Sequence, residues 1–207
     1  MMFSNSRNYD YMPKLHVQAG SNLEVVEQQK LLGIVVQSDL RWHANTHNMC
    51  VKGYSRLWML RRLKLVGANT DELLDVYQKQ VRSVMELAVA VWEPALTVAE
   101  DKQIERVQKA AYSIILGDNY NTYSTALKVL GAETLGTRRK KLTLNFAKKA
   151  YKHPKYQTWF RSKTGNVPNT RAEKTVLKTV DTRTDKYRDS PLPYLTSVLN
   201  QHLGKKQ

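Results

Sequence analysis

The sequence predicts an α+β fold that is mostly α: a small N-terminal antiparallel β-hairpin sheet, then a bundle of about five helices, then a basic tail. Three observations predict it. The six-residue apolar run Leu31 to Val36 has three β-branched members and stops at the turn residues Gln37-Ser38-Asp39, too short for a core helix and of strand composition. From about Trp42 the apolar spacing changes to steps of three and four, the period of a helix face. Later apolar stretches are separated by a few residues of Gly, Asn, Thr and Pro, the punctuation of successive helices.

The elements follow in order. Leu15 to Gln18 and Leu23 to Glu27 flank Ala19-Gly20-Ser21-Asn22 and read as strand, turn, strand. Leu31 to Val36 adds a third strand, and Gly33 within it suggests a bulge or a close approach by another backbone or a ligand. The first helix is expected from about Trp42 to Leu65, with Cys50, Tyr54, Leu57 and Leu60 or Arg61 on its inner face. Gly67 suits the position just past its end, and Asn69 or Thr70 can cap the next helix, with Asp71 and Glu72 in its first turn. That second helix, about 71–92, would bury Leu73, Leu74, Tyr77, Val81, Val84, Ala88 and Val91 before Pro94. Thr97 caps a third helix to about Leu116 with Ile104, Val107, Ala111, Ile114 and Ile115 inward. Tyr123 to Leu130 is a short helix closed by Gly131. A fifth, about 134–151, carries Leu135, Leu142, Phe146 and Ala150 on one side. Pro154 ends the bundle, Tyr156, Trp159 and Phe160 fold back on it, and residues 161–189 have almost no apolar pattern, the composition of disorder.

The chain has 207 residues, 42% apolar and 25% charged, which is the composition of one soluble globular domain. No apolar run is long enough to span a membrane. Met1 to Arg7 lacks the apolar core of a secretory signal, and the single cysteine, Cys50, fits a reducing compartment, so an intracellular protein of nucleus or cytoplasm is expected. The net charge is +15, of which residues 1–137 carry +1 and residues 138–207 carry +14. Such a block is either a nucleic-acid footprint or a solvated basic tail, and composition leaves both open.

Catalytic patterns are missing. The sequence has no Asp-Asp pair to hold two metal ions, no phosphate-binding Gly-rich loop and no nucleophile elbow. The acids Asp71, Glu72, Asp75, Glu100, Asp101 and Glu105 sit where helix dipoles favour them. His43, His47 and Cys50 lie at helical spacing on one face, a possible zinc set, but no acidic neighbour in sequence orients the imidazoles, and the reading is solvated histidines beside a core cysteine. No metal and no cofactor are expected. Arg56, Arg61, Arg62 and Lys64 flank the first helix, with Arg41 and Trp42 at its start. Arg138-Arg139-Lys140-Lys141 places four cations where a helix begins, a position that disfavours them unless an anion is near.

Several short segments resemble, in order along nearly the whole chain, the C-terminal part of non-LTR (LINE-type) retrotransposon reverse transcriptases. Lys30-Leu31-Leu32-Gly33-Ile34 with Ser38-Asp39-Leu40-Arg41-Trp42 is similar to the junction of palm and thumb. Arg61-Arg62-Leu63 resembles the end of the first thumb helix, Val81 to Glu86 with Val91-Trp92 the second, and Ile104 to Ala111 the third. Ser190-Pro191-Leu192-Pro193-Tyr194-Leu195 resembles the tail. The resemblance implies a palm-end β segment over 1–40, a thumb-like bundle over 41–160 and a basic, mostly disordered tail over 161–207. It implies a mobile-element fragment of an RNA-directed DNA polymerase that begins after the catalytic aspartates and is no enzyme alone. Its role would be to grip an RNA–DNA or DNA duplex by its backbone, with a palm domain supplied in trans. The contact residues would be Lys30, Gly33, Arg41, Trp42, Arg56, Arg61, Arg62 and the 138–141 cluster. The alternative is a stand-alone helical protein-interaction module, or a relic without function. The two separate on whether these cations share one face.

Overall fold

The computed structural model describes residues 26–160 and 177–204. It is mostly helical, with a two-stranded antiparallel sheet ahead of the helices. The sheet pairs β1 (Gln28–Leu31) with β2 (Ile34–Gln37), Leu31 facing Ile34. The run Leu31 to Val36 is therefore no single strand with a bulge. Leu32 and Gly33 form a two-residue turn, with φ of 49° and 91°, the double positive φ that a tight hairpin needs. The strands expected over 15–18 and 23–27 lie outside the described residues, Val26 and Glu27 excepted.

The hairpin is tied to the helices. The Val35 N–H donates to Asn45 Oδ1 at 3.1 Å, and the Ala44 N–H donates to Gln37 Oε1 at 2.9 Å. Ile34 joins the main core, while Leu32 stands 91% exposed.

Helix α1 (His43–Leu65) ends in a Schellman motif: Gly67, at φ 90°, donates to the Lys64 carbonyl and Ala68 to that of Leu63. Its buried row is Thr46, Met49, Cys50, Gly53, Leu57 and Leu60; Tyr54 is exposed, contrary to the expected inner face. Gly53 is buried because the helix spanning Val98–Leu116 lies against it. A Cβ there would stand 2.8 Å from Val107 Cγ1 and 2.9 Å from Met85 Cε, closer than packed carbons approach. Helix α5 (Val98–Leu116) runs parallel to α1. His43 meets Glu100 at 2.6 Å, Gly53 meets Val107, and Lys64 Nζ donates to the Ile114 carbonyl at 2.5 Å.

Between them, the helix expected over 71–92 is broken into pieces. Asn69 and Glu72 form a capping box at the start of α2 (Thr70–Val76). A π-helical turn follows (Tyr77–Arg82), then α3 (Ser83–Glu86), a break at Ala88 with φ 51°, and α4 (Val89–Trp92). The buried row is Leu73, Tyr77, Val81, Met85 and Val89, at a constant spacing of four. On a 3.6-residue helix that row would drift about 40° per step, and the wider π turn takes up the drift. Val84 is consequently half-buried, and Ala88 and Val91 face outward.

Thr97 and Glu100 cap α5 with a second box. Then come α6 (Tyr123–Val129), α7 (Leu135–Lys152) and α8 (Pro154–Gln157). Helix α7 buries Leu135, Arg139, Thr143, Ala147 and Ala150, leaving Leu142 half-buried and Phe146 exposed. The expected disorder over 161–189 is corrected where residues are described. Leu177 is fully buried, α9 (Asp185–Arg188) follows, and α10 (Pro191–Gly204) packs on α7. Leu177, Leu195 and Leu199 form a second apolar cluster with Ala90, Ala147, Ala150 and Phe160. Among the described residues no helix is long and apolar enough to cross a membrane.

Candidate nucleic-acid interface

The four cations at the start of α7 are held mainly by the chain's own acids. Arg138 forms a bidentate pair with Glu86 of α3, Arg139 reaches Asp101 of α5, and Lys141 pairs with Glu133. Arg139 is 2% exposed, so it lies out of reach of any phosphate. The anionic partners that four cations at a helix start require are internal, and three of the four positions are paired with the chain's own carboxylates. Only Lys140 is exposed without a partner among the described residues, beside a hollow of about 500 Å³ between α7 and α10.

The other expected contacts also divide. Trp42 is 8% exposed and belongs to the core, so it offers no ring to a base. Gly33 is a turn residue whose missing side chain accommodates Leu87 rather than a ligand: a Cβ would lie 3.0 Å from Leu87 Cδ2. Arg56 is half-buried and donates to the Gln80 carbonyl. Arg41 is exposed and faces Asp39 at 3.8 Å. Lys30 is exposed on β1, on the hairpin, while Arg61 and Arg62 are exposed near the end of α1. Neither of those two arginine side chains has a partner among the described residues. The expected cations are thus divided by burial and pairing: Arg139 is buried, Arg41, Arg56, Arg138 and Lys141 are engaged within the chain, and Lys30, Arg61, Arg62 and Lys140 are exposed.

A different grouping emerges on α1. Its 23 residues include five Lys or Arg and no Asp or Glu. The row opposite the core, at positions 47, 51, 54, 58, 61, 62 and 65, runs along one side of the helix at steps of three and four. It reads His47, Val51, Tyr54, Trp58, Arg61, Arg62 and Leu65, all exposed. Trp58 is 58% and Tyr54 45% exposed. Burial moves the Tyr54 phenol upward, and the charge of Arg106, exposed on the parallel helix α5, acts weakly in the other direction. Sequence reading had put Tyr54 inside. The signal that could have separated the two rows is the buried Gly53 one residue before it.

The residues His43, His47 and Cys50 do not converge. His43 is held by Glu100, a partner 57 positions away in sequence that spacing could not reveal, His47 is in solvent, and Cys50 is in the core. Among the described residues no three His, Cys, Asp or Glu side chains are placed to hold a metal ion. No protein-family model matches the chain, and neither curated proteins nor solved structures give a match.

Proposed function

We propose that the chain is a non-catalytic module that grips nucleic acid by its phosphates without reading sequence. In this reading it is the palm end and thumb of a retrotransposon-type reverse transcriptase, acting in the nucleus or cytoplasm beside a palm supplied by another chain. The observation that carries the reading is α1: five cations, no carboxylate, and Arg61 and Arg62 exposed on its outer side with no side-chain partner among the described residues. A helix this basic is complemented by a polyanion. The grip lies on α1 rather than on the 138–141 cluster, whose charge is largely answered internally.

Binding should then be dominated by counterion release and indifferent to base sequence. Fluorescence anisotropy with two unrelated duplexes, between about 50 and 200 mM salt, tests this. With about three contacts, affinity should fall roughly fortyfold across that range, equally for both sequences. Duplex binding that ignores salt, or no binding at the low-salt end, would end the reading.

A second reading has its own observation. Leu31, Leu32, Val36, Leu40 and Val91 line an apolar hollow of about 960 Å³ beside the hairpin, and all four residues of β1 are exposed. These suit strand addition by a palm-like sheet in trans. Leu32→Ser with Leu40→Ser should abolish hydrophobic-dye binding if this surface is the adhesive one; unchanged dye binding would dismiss it.

A further inference from the structure

We propose that the outer face of α1 takes the unpaired bases of a single strand, with Tyr54 and Trp58 as a stacking platform and Arg61, Arg62 and Arg106 on the flanking phosphates. The inference rests on the nucleic-acid reading above and names the form of nucleic acid that the face selects.

Tyr54 and Trp58 are four residues apart on one side of α1, about 6 Å along the axis. Both rings are exposed, and the Trp58 indole has no hydrogen-bond partner among the described residues. Of the four tryptophans, Trp42 and Trp92 are buried in the core and Trp159 leans on Tyr156 at 4.7 Å. Trp58 alone of the four stands in a row of cations. An exposed tryptophan between apolar Val51 and basic Arg61 and Arg62 suits a ligand that is flat, apolar on its faces and anionic along its length. Unpaired bases on a phosphate backbone have those properties, and aromatic platforms with arginine neighbours bind them with little regard to sequence. A closed duplex offers α1 its phosphates and hides its base faces. Charge decides against an apolar protein helix as occupant, because the row has three nearby arginines and no acid with which to place one.

The full chain is titrated with a labelled twelve-nucleotide single strand and with a blunt duplex of the same sequence. Trp58→Ala should weaken the single strand by about five- to a hundredfold, the value of one stacked base. It should leave the duplex within about twofold and the salt slope of both unchanged, since no phosphate contact is lost. Trp58→Phe should restore most of the single-strand affinity. Arg61→Gln with Arg62→Gln should weaken both ligands and flatten each slope by roughly 0.7 to 0.9 per contact. Trp58 is exposed, so the variants should melt with the parent; a shifted melt moves the test to Tyr54→Ala. Trp58→Ala acting equally on duplex and single strand, or on neither, overturns the stacking proposal and leaves the phosphate grip standing. A parent chain that binds neither ligand overturns the nucleic-acid reading itself.

Discussion

Arg139 of α7 is 2% exposed, whereas Asp101 of α5, which receives its guanidinium, is about half exposed; two of the Arg139 nitrogens, Nε and Nη1, lack a partner among the described residues. The pair is asymmetric in burial, and its two halves should respond differently. Removing Asp101 strands a buried cation, so Asp101→Ala should cost about 3–5 kcal/mol. Arg139→Met removes the charge that needs compensation and fills the same space, and should be neutral within about 1 kcal/mol or stabilising. The double variant should recover most of the loss. Urea denaturation of the three variants measures this; a mild Asp101→Ala beside a severe Arg139→Met would show the arginine to be held in some other way.

Leu177 is tied to α10 by the polar atoms of one side chain. Asn200 accepts the Leu177 N–H at 2.9 Å and donates to the Leu177 carbonyl at 3.1 Å, all of it buried. Asn200→Leu leaves both backbone groups unpaired, each at about 1–3 kcal/mol, while Asn200→Asp keeps the acceptor and loses only the donor. Limited proteolysis should therefore cut between residues 178 and 190 fastest in the leucine variant and at an intermediate rate in the aspartate variant. Equal rates in all three proteins would mean that Leu177 is held by its apolar contacts alone.

What the sequence disclosed is what local chemistry decides. The caps at Asn69 and Thr97 and the stop at Gly67 each need only the residues within one turn, and all could be read in place. The fold class followed from them. Contacts that depend on packing could not be read. Nothing near Arg138 in sequence points to Glu86, 52 residues earlier, and a basic cluster is the same string of letters whether it meets phosphate or its own acids. Steps of three and four fit both the inner and the outer row of α1, so spacing alone places Tyr54 inward, whereas the close approach of α5 reserves the buried position for Gly53. The antiparallel sheet is legible, but its turn at Leu32-Gly33 is not, because leucine at positive φ is no turn signal; the pairing of Leu31 with Ile34 imposes it.

The π turn sets the register of every residue after it, and that register can be tested. Val81 and Met85 are fully buried and Val84 is half-buried. Val81→Asp and Met85→Asp place an unpaired carboxylate in the core and should cost several kcal/mol each. Val84→Asp leaves its carboxylate near water and should cost markedly less. Melting temperatures of the three variants decide it. A regular α-helix through Tyr77–Arg82 would instead make Val84 as sensitive as Val81, and that result would remove the π turn.

Cys50 provides a pH-dependent readout of the same core. Burial beneath the α1 row pushes its thiol up to about 11, from the ordinary value near 8.5. The folded state thus keeps its proton where the unfolded chain has lost it. By linkage, stability carried by the neutral thiol is complete below about pH 8.5 and falls as the pH rises from there toward 11. At pH 8 the folded molecule therefore holds its thiol almost wholly protonated, whereas roughly one in four unfolded chains carries a thiolate. Labelling by a disulfide reagent at pH 8 should accordingly be slow in the native protein, fast in denaturant, and proportional to the open fraction in between. Cys50→Ala should fold and remove the labelling, whereas Cys50→Ser buries a hydroxyl and should cost about 1–3 kcal/mol. Native labelling as fast as that of the unfolded chain would place the thiol at the surface, and with it the whole assignment of the inner face of α1 would fail.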